Sequence, residues 1–221
     1  MKKLESNGII YENIKILDKD ILIKETSLPE KQWKKIQSLD LDFIVKPTEV
    51  TGNIIKMKYL REYESLSASN QRFNDIEIYK LLSKQLQYIK LLEENKVIHC
   101  DMHPNNILVC KKNDDIKLID FDYSIVDDYI PEDSIFIDDG FSSSEIKRLS
   151  LEMDKRDCLG IFFTYLVDGQ FPDGLDYASL DKYNMDTSIK KKIDGIINND
   201  GSIEKDDYLT DEIKFLTKIK K

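Results

Sequence analysis

Apolar residues cluster in three short strand-like runs near the start of the chain, 9–11, 14–17 and 21–24, and Asp18-Lys19-Asp20 is set to turn between the second and third. The pattern then changes period. Over 27–39, Pro29 and Glu30 stand at the start and Trp33, Ile36 and Leu39 recur at three-residue spacing, which predicts a short amphipathic helix. Strand-like runs return at 43–45 and 53–59, with Thr51-Gly52-Asn53 as a turn. Residues 65–73 are polar and loop-like. From 75 to 94, Ile78, Leu81, Leu82, Leu86, Ile89 and Leu92 recur at threes and fours, the mark of a long amphipathic helix. Val97-Ile98 leads into a polar segment, 99–106, followed by strands at 107–109 and 116–119 around a turn-rich KKNDD. Beyond Gly140 the period is helical again, including 157–167 and a last helix after Thr210. No internal repeat appears. The pattern is α+β in two lobes of one domain spanning 1–221: a small, mostly β lobe over about 1–60 and a larger, mostly α lobe over about 61–221.

Composition narrows the class. Hydrophobic residues make up 41% and charged residues 34% of the 221, which excludes fibrous and wholly disordered chains. A net charge of −9 argues against nucleic acid or an anionic membrane as partner. The three cysteines, Cys100, Cys110 and Cys158, form no CxxC pair and fit neither a disulfide framework nor a zinc site. The first residues lack a signal-like apolar stretch, and the longest uncharged apolar run, 158–167, is far short of a bilayer span. A cytoplasmic protein is expected. Between 111 and 145 three lysines face eleven Asp and Glu, a net −8 that is nearly the whole charge of the chain. Such a stretch is either a solvated acidic loop or a surface that binds metal and draws in basic substrates.

The chemistry concentrates in VIHCDMHPNNILVCKKNDDIKLIDFD, residues 97–122. Phosphoryl transfer needs a group to orient the attacking hydroxyl, and cations to hold the phosphates and absorb charge. Magnesium takes hard oxygen ligands, one or two from the protein. Asn106 and Asp120 offer an amide oxygen and a carboxylate, and Asp101 a third oxygen group that could accept a substrate proton. HCDMHPNN resembles the HxDxxxxN catalytic loop of the protein-kinase-like superfamily, and IDFD resembles its DFG segment, in that order and joined by a strand–turn–strand.

The resemblance, which covers about residues 9–175, implies a two-lobed protein kinase-like fold and an ATP- and Mg2+-dependent phosphotransferase with Asp101 as catalytic base and Asn106 and Asp120 as metal ligands. It implies that Lys24, in ILIKE, holds the nucleotide's α- and β-phosphates, with Glu30 on the next helix as the best-placed partner. Lys58 and Tyr59, within Met57–Leu60, fall where the hinge offers backbone groups to adenine. GFSSSE at 140–145 resembles the close of an activation segment, with Glu145 in the place of the APE glutamate. Arg156–Gly160, the apolar helix after it and DGQFP resemble a later helix of the family, but neither Asp154 nor Asp157 sits in the usual register.

The chain also departs from the pattern. Gly8 is the only glycine before Gly52, so no glycine-rich loop exists; Asp122 replaces the DFG glycine, and Cys100 the arginine of the HRD form. His103 stands where serine/threonine kinases usually place lysine, and its HP pair is typical of small-molecule kinases. Three readings follow: a serine/threonine protein kinase acting on a protein, with basic substrates suited to the acidic stretch; a small-molecule kinase of the choline or aminoglycoside type; and a pseudokinase that binds nucleotide or a partner protein. Lys24, Asp101, Asn106 and Asp120 are all kept, which favours an enzyme over a pseudokinase, and the segment 120–145 with its GFSSSE close favours a protein acceptor, so the first is preferred.

Overall fold

The computed structural model describes residues 2–6, 9–18, 20–69, 71–110, 112–113, 115–132, 134, 141–169 and 183–198. The expected helix after Thr210, Gly140 of the GFSSSE stretch and most of DGQFP lie outside them.

The N-terminal lobe is one antiparallel sheet of five strands: β1 (Lys2–Ser6), β2 (Ile9–Asp18), β3 (Ile21–Glu25), β4 (Pro47–Thr51) and β5 (Ile54–Lys58), in the order β1-β2-β3-β5-β4. The two runs expected at 9–11 and 14–17 are a single strand, and β1 precedes them. On β3 Lys24 is buried while Ile21 and Glu25 are exposed, and Leu22 and Lys24 pair with buried Met57 and Ile55 on β5. The β4–β5 hairpin turns at Gly52, whose φ of 59° is open to glycine at no steric cost. Helix α1 (Glu30–Ser38) sits between β3 and β4; extended Pro29 precedes it, and Trp33 and Ile36, one turn apart, are buried.

The run expected as a strand at 43–45 does not join this sheet. Ile44 pairs with Leu118 in the other lobe, where Leu118 N–H donates to Phe43 O at 2.7 Å and Val45 N–H to Leu118 O at 3.0 Å. Phe43 stacks on Tyr88, with ring centroids 3.9 Å apart.

In the C-terminal lobe α2 (Asp75–Glu94) coincides with the predicted helix. Asn74 caps its start: its side chain accepts from Ile76 and Glu77 N–H, and the Glu77 carboxylate reaches back to Asn74 N–H. Its face of Ile78, Leu81, Leu82, Leu86, Ile89 and Leu92 enters the main core with Phe162 and Phe163. Three short strands, β6 (Tyr63–Ser65), β8 (Ile107–Cys110) and β9 (Ile116–Leu118), form one sheet, and β7 (Val97–Ile98) pairs with β10 (Ile125–Val126). Thus 97–126 runs strand, loop, hairpin, loop, strand, and the two loops lie side by side. Helix α3 (Ser143–Met153) passes through a π-helical segment (Asp154–Cys158) into α4 (Leu159–Asp168), which ends on left-handed Gly169; α5 (Thr187–Asn198) packs against α2. Among the described residues no helix is long and apolar enough to cross a membrane.

Candidate active site

The loop after β7 is built around His99. The imidazole is fully buried, and its Nε2–H donates to the carbonyl of Ile119 at 3.0 Å. That bond fixes the ring proton on Nε2, and among the described residues Nδ1 has no partner. Burial pushes the His99 pKa down, so the ring is a neutral strut. It rests on Phe121, with ring centroids 4.5 Å apart. Ile119 N–H donates to Asn106 O at 3.0 Å, a second tie between the two loops. The sequence therefore places a rigid, buried pair, His99 and Phe121, beneath the acidic groups that flank them.

The two loops carry backbone strain at the candidate site residues. Cys100, next to Asp101, has φ 65°, and Asp120 has φ 63°. A left-handed cysteine persists only where its surroundings hold it. Here the Asp154 carboxylate does so, accepting the backbone N–H groups of His99 at 3.0 Å and Cys100 at 3.2 Å through one oxygen. Asp154 is 1% exposed, and burial lifts its pKa to about 7. It opens the π segment. A π-turn takes in one residue more than an α-turn, which explains why the spacing from this aspartate to Gly160 hid its role in the sequence. The Cys100 thiol is driven up by burial first and by Asp154 second, so it is not a ready nucleophile.

Asp101 and Asn106 come together. Asn106 Nδ2 donates to Asp101 Oδ2 at 2.7 Å and to the Asp101 carbonyl at 3.0 Å. The amide nitrogen is thereby committed, and its oxygen is the acceptor left for another ligand. His103 Nδ1 accepts from Asn105 N–H at 3.2 Å, which puts its ring proton on Nε2, 3.3 Å from Asp101 Oδ1. His103, weighed in the sequence as substrate-facing or neutral, is thus a neighbour of Asp101.

Lys24 crosses from the N-terminal lobe to the second loop. Its side chain is 3% exposed, and its ammonium lies 2.6 Å from Asp120 Oδ1 and 2.9 Å from Asp122 Oδ2. Burial alone lowers its pKa, but the two carboxylates outweigh burial and the net direction is up. The other oxygen of Asp122 accepts from the Thr26 hydroxyl, which in turn accepts from Trp33 Nε1–H at 2.8 Å and Leu28 N–H at 3.2 Å. Trp33 meets Phe121 edge-on at 6.3 Å. Neither Thr26 nor Trp33 stood out as a site residue in the sequence, because a threonine and a tryptophan seven apart carry no recognisable pattern.

Glu30 is a correction. It does not meet Lys24: one of its oxygens pairs with Lys34 and the other accepts Gly52 N–H at 2.7 Å. As the first residue of α1 it stands at the helix tip beside the β4–β5 turn, and these two partners, Lys34 first, lower its pKa. Lys58 and Tyr59 lie where the chain leaves β5. Lys58 is exposed, and Tyr59 N–H is taken by the carbonyl of Asp20 at 2.8 Å. Glu145 closes a capping box at the start of α3: its side chain takes Ser142 N–H at 2.9 Å. The acidic stretch is partly compensated too: Lys24 meets Asp120 and Asp122, Lys117 meets Asp115 at 3.1 Å, and Lys147 meets Asp128 at 2.8 Å.

Among the described residues no three His, Cys, Asp or Glu side chains converge as a metal cage. The oxygens of Asn106 and Asp120 instead suit a hard divalent cation that keeps its remaining coordination for water and phosphate.

The family model described as the protein kinase domain matches residues 13–218, and the chain belongs to that family. Membership implies ATP as the nucleotide and, as a rule, a divalent metal. The chain is similar to a dual specificity protein kinase YAK1 homolog of Arabidopsis thaliana, 39% identical over 69 residues, which is 30% of this chain and 7% of that protein. It is also similar to the DYRK-family kinase pom1 of Schizosaccharomyces pombe, 39% identical over 82 residues, 36% of this chain and again 7% of the relative. These matches thus span a small fraction of each relative's length. Among solved structures it resembles the Cydia pomonella granulovirus kinase PK-1, with a TM-score of 0.57 at 15% identity over 89% of this chain and 85% of that one. It also resembles the BubR1 kinase domain, with a TM-score of 0.50 at 14% identity over 91% and 78%. The fold is that of a protein kinase.

Proposed function

We propose that this chain is a protein kinase that transfers the γ-phosphoryl group of ATP to a serine or threonine hydroxyl. The observation that carries the reading is the paired geometry at the two loops: Asp101 held by Asn106 at 2.7 Å, and Asp120 beside buried Lys24 at 2.6 Å. In this reading Asp101 orients the acceptor hydroxyl and takes its proton, while the hydroxyl oxygen bonds to the γ-phosphorus and the bond to the leaving ADP oxygen breaks. Asn106 and His103 hold the Asp101 carboxylate in one orientation. Lys24 gives up part of its carboxylate clamp to place its positive charge on the α- and β-phosphates. Asn106 and Asp120 would hold Mg2+, which when bound neutralises phosphate charge. Tyr59 leaves only its carbonyl for adenine, since its N–H is engaged.

A second reading, a nucleotide-binding module without turnover, draws support from the clamp of Lys24 between two carboxylates, which an incoming nucleotide must open. The test separates the two. Purified protein with γ-labelled ATP, magnesium and basic protein substrates is expected to label serine or threonine, and Asp101→Asn to stop labelling while nucleotide still raises the melting temperature. Phosphotyrosine is scored alongside, because one sequence relative is named a dual specificity kinase. Nucleotide binding with no labelling of any protein, aminoglycoside or choline-like acceptor would favour the module.

A further inference from the structure

We infer that Asp122, the residue in place of the DFG glycine, is a positioning residue that holds Lys24 for the nucleotide and links it to α1 through Thr26 and Trp33. The inference rests on the kinase reading above and goes beyond it, since it concerns a residue that the family pattern leaves without a side chain. The argument starts from what the Lys24 ammonium meets. Of the two carboxylates beside it, Asp120 is the one that would turn to a divalent cation, and it could not then serve Lys24 undivided. Asp122 has no such second call. One of its oxygens takes Lys24 at 2.9 Å and the other takes the Thr26 hydroxyl. That hydroxyl is saturated: it donates once, to Asp122, and accepts twice, from Trp33 Nε1 and Leu28 N. Trp33 is buried in α1 and abuts Phe121, one residue before Asp122. The chain Lys24–Asp122–Thr26–Trp33 therefore joins β3, the loop after β9 and α1 in one buried set of bonds.

Glu30, the helix residue expected to do this, is occupied by Lys34 and Gly52 on the far side of the tip. The carboxylate that couples α1 to the lysine has moved from the helix to the loop, and the helix contributes an indole N–H instead. A buried ammonium between two carboxylates also leaves one surplus negative charge, which a divalent cation at Asp120 would offset.

The test uses full-length protein with Asp122→Asn, which keeps an acceptor for Thr26 but removes the charge, Asp122→Ala, and Glu30→Gln. Circular dichroism and melting curves select variants that remain folded. Two readouts are independent of each other. In steady-state kinetics, both Asp122 variants are expected to lower kcat/KM for ATP by about tenfold or more, mostly through KM. Glu30→Gln is expected to change it less than twofold, and Asp122→Asn combined with Lys24→Met to be no worse than Lys24→Met alone. In the second readout, acetylation of Lys24 by an N-hydroxysuccinimide ester is followed by peptide mass spectrometry without nucleotide. It is expected to speed up several-fold in the Asp122 variants and to stay at the wild-type rate in Glu30→Gln. Trp33, the chain's only tryptophan, gives a third signal: its emission is expected to shift in Asp122→Ala. Wild-type rates of Lys24 acetylation in both Asp122 variants would overturn the inference. Accelerated acetylation in a protein that labels no substrate would instead leave the inference standing and remove the kinase reading.

Discussion

Replacing Asp154 by Asn is expected to change the pH dependence of stability, and the sign follows from burial. The carboxyl titrates at about 7 in the folded protein and at about 3.9 in an unfolded chain. Below both values it is protonated in either state. Between them the native form keeps a proton that the unfolded form has released, so stability falls as pH rises, and the loss is complete once pH passes the folded value. The span between the two values corresponds to a loss of about 4 kcal/mol. An Asn keeps the geometry: its oxygen can accept the His99 and Cys100 N–H groups, and its nitrogen can face the Cys158 thiol that now lies 3.7 Å from Oδ1. It removes the titration. Other groups also set the total slope, buried His99 in the opposite sense because its pKa is lowered, so only the difference between the two proteins isolates Asp154. Urea unfolding at pH 5, 7 and 9, followed by circular dichroism, should show Asp154→Asn gaining on the wild type as pH rises, by roughly 2–4 kcal/mol over the range. Parallel stability profiles would refute the reasoning and mean that the Asp154 carboxylate is ionised and well satisfied throughout.

Asp120→Asn should abolish the extra thermal stabilisation that magnesium adds to ATP binding while leaving the melting temperature of the free protein within a few degrees; an unchanged magnesium effect would remove Asp120 as a ligand. Trp33→Phe should cost about 1–3 kcal/mol in chemical denaturation, because it strips the Thr26 hydroxyl of a buried donor and leaves space beside Phe121. Peptides with Lys or Arg around the acceptor should be phosphorylated faster than acidic ones at low salt. The gap should close by several hundred millimolar, since exposed charges are screened over roughly 8–10 Å at ordinary salt. It should be modest even at low salt, given that Lys24 and Lys147, from outside the acidic stretch, already balance part of it.

Much of the fold could be read from local pattern where one signal acted alone. Helix α2 was legible to the residue, because an unbroken three- and four-spaced apolar face begins at an Asn that caps it. The order of Asp101, Asn106 and Asp120 was legible because the chemistry dictates residue type and the intervening hairpin dictates spacing. The rest depended on tertiary partners. Strand β4, PTEVT, has only Pro47 and Val50 turned inward and carries no clean alternation. The run at 43–45 has the hydrophobicity of a strand, but its hydrogen bonds go to Leu118 in the other lobe. Glu30 was chosen because it is the nearest acid on the next helix, and nothing in the sequence told that Lys34 and Gly52 would claim it. Asp154 escaped because a π-turn shifts the count, which a single sequence does not announce.

The contact between 43–45 and Leu118 has a mechanical consequence. Away from the contacts of Lys24, Thr26 and Trp33 with the loop after β9, the two lobes are joined covalently at the exit of β5 and, separately, around Leu118 by the pair of hydrogen bonds there. Two attachment points define a line, and a body pinned at both can turn about that line far more easily than it can slide or tilt across it. The N-terminal sheet with α1 is therefore a door on two hinges, and Lys24 with Thr26 and Trp33 is the latch, touching the far lobe at Asp120, Asp122 and Phe121. Swinging the door changes the gap at the latch while Phe43 stays seated on Tyr88. A spectroscopic ruler between β3 and the loop after β9 would read the motion, whereas one placed between residue 43 and α2 would stay nearly still.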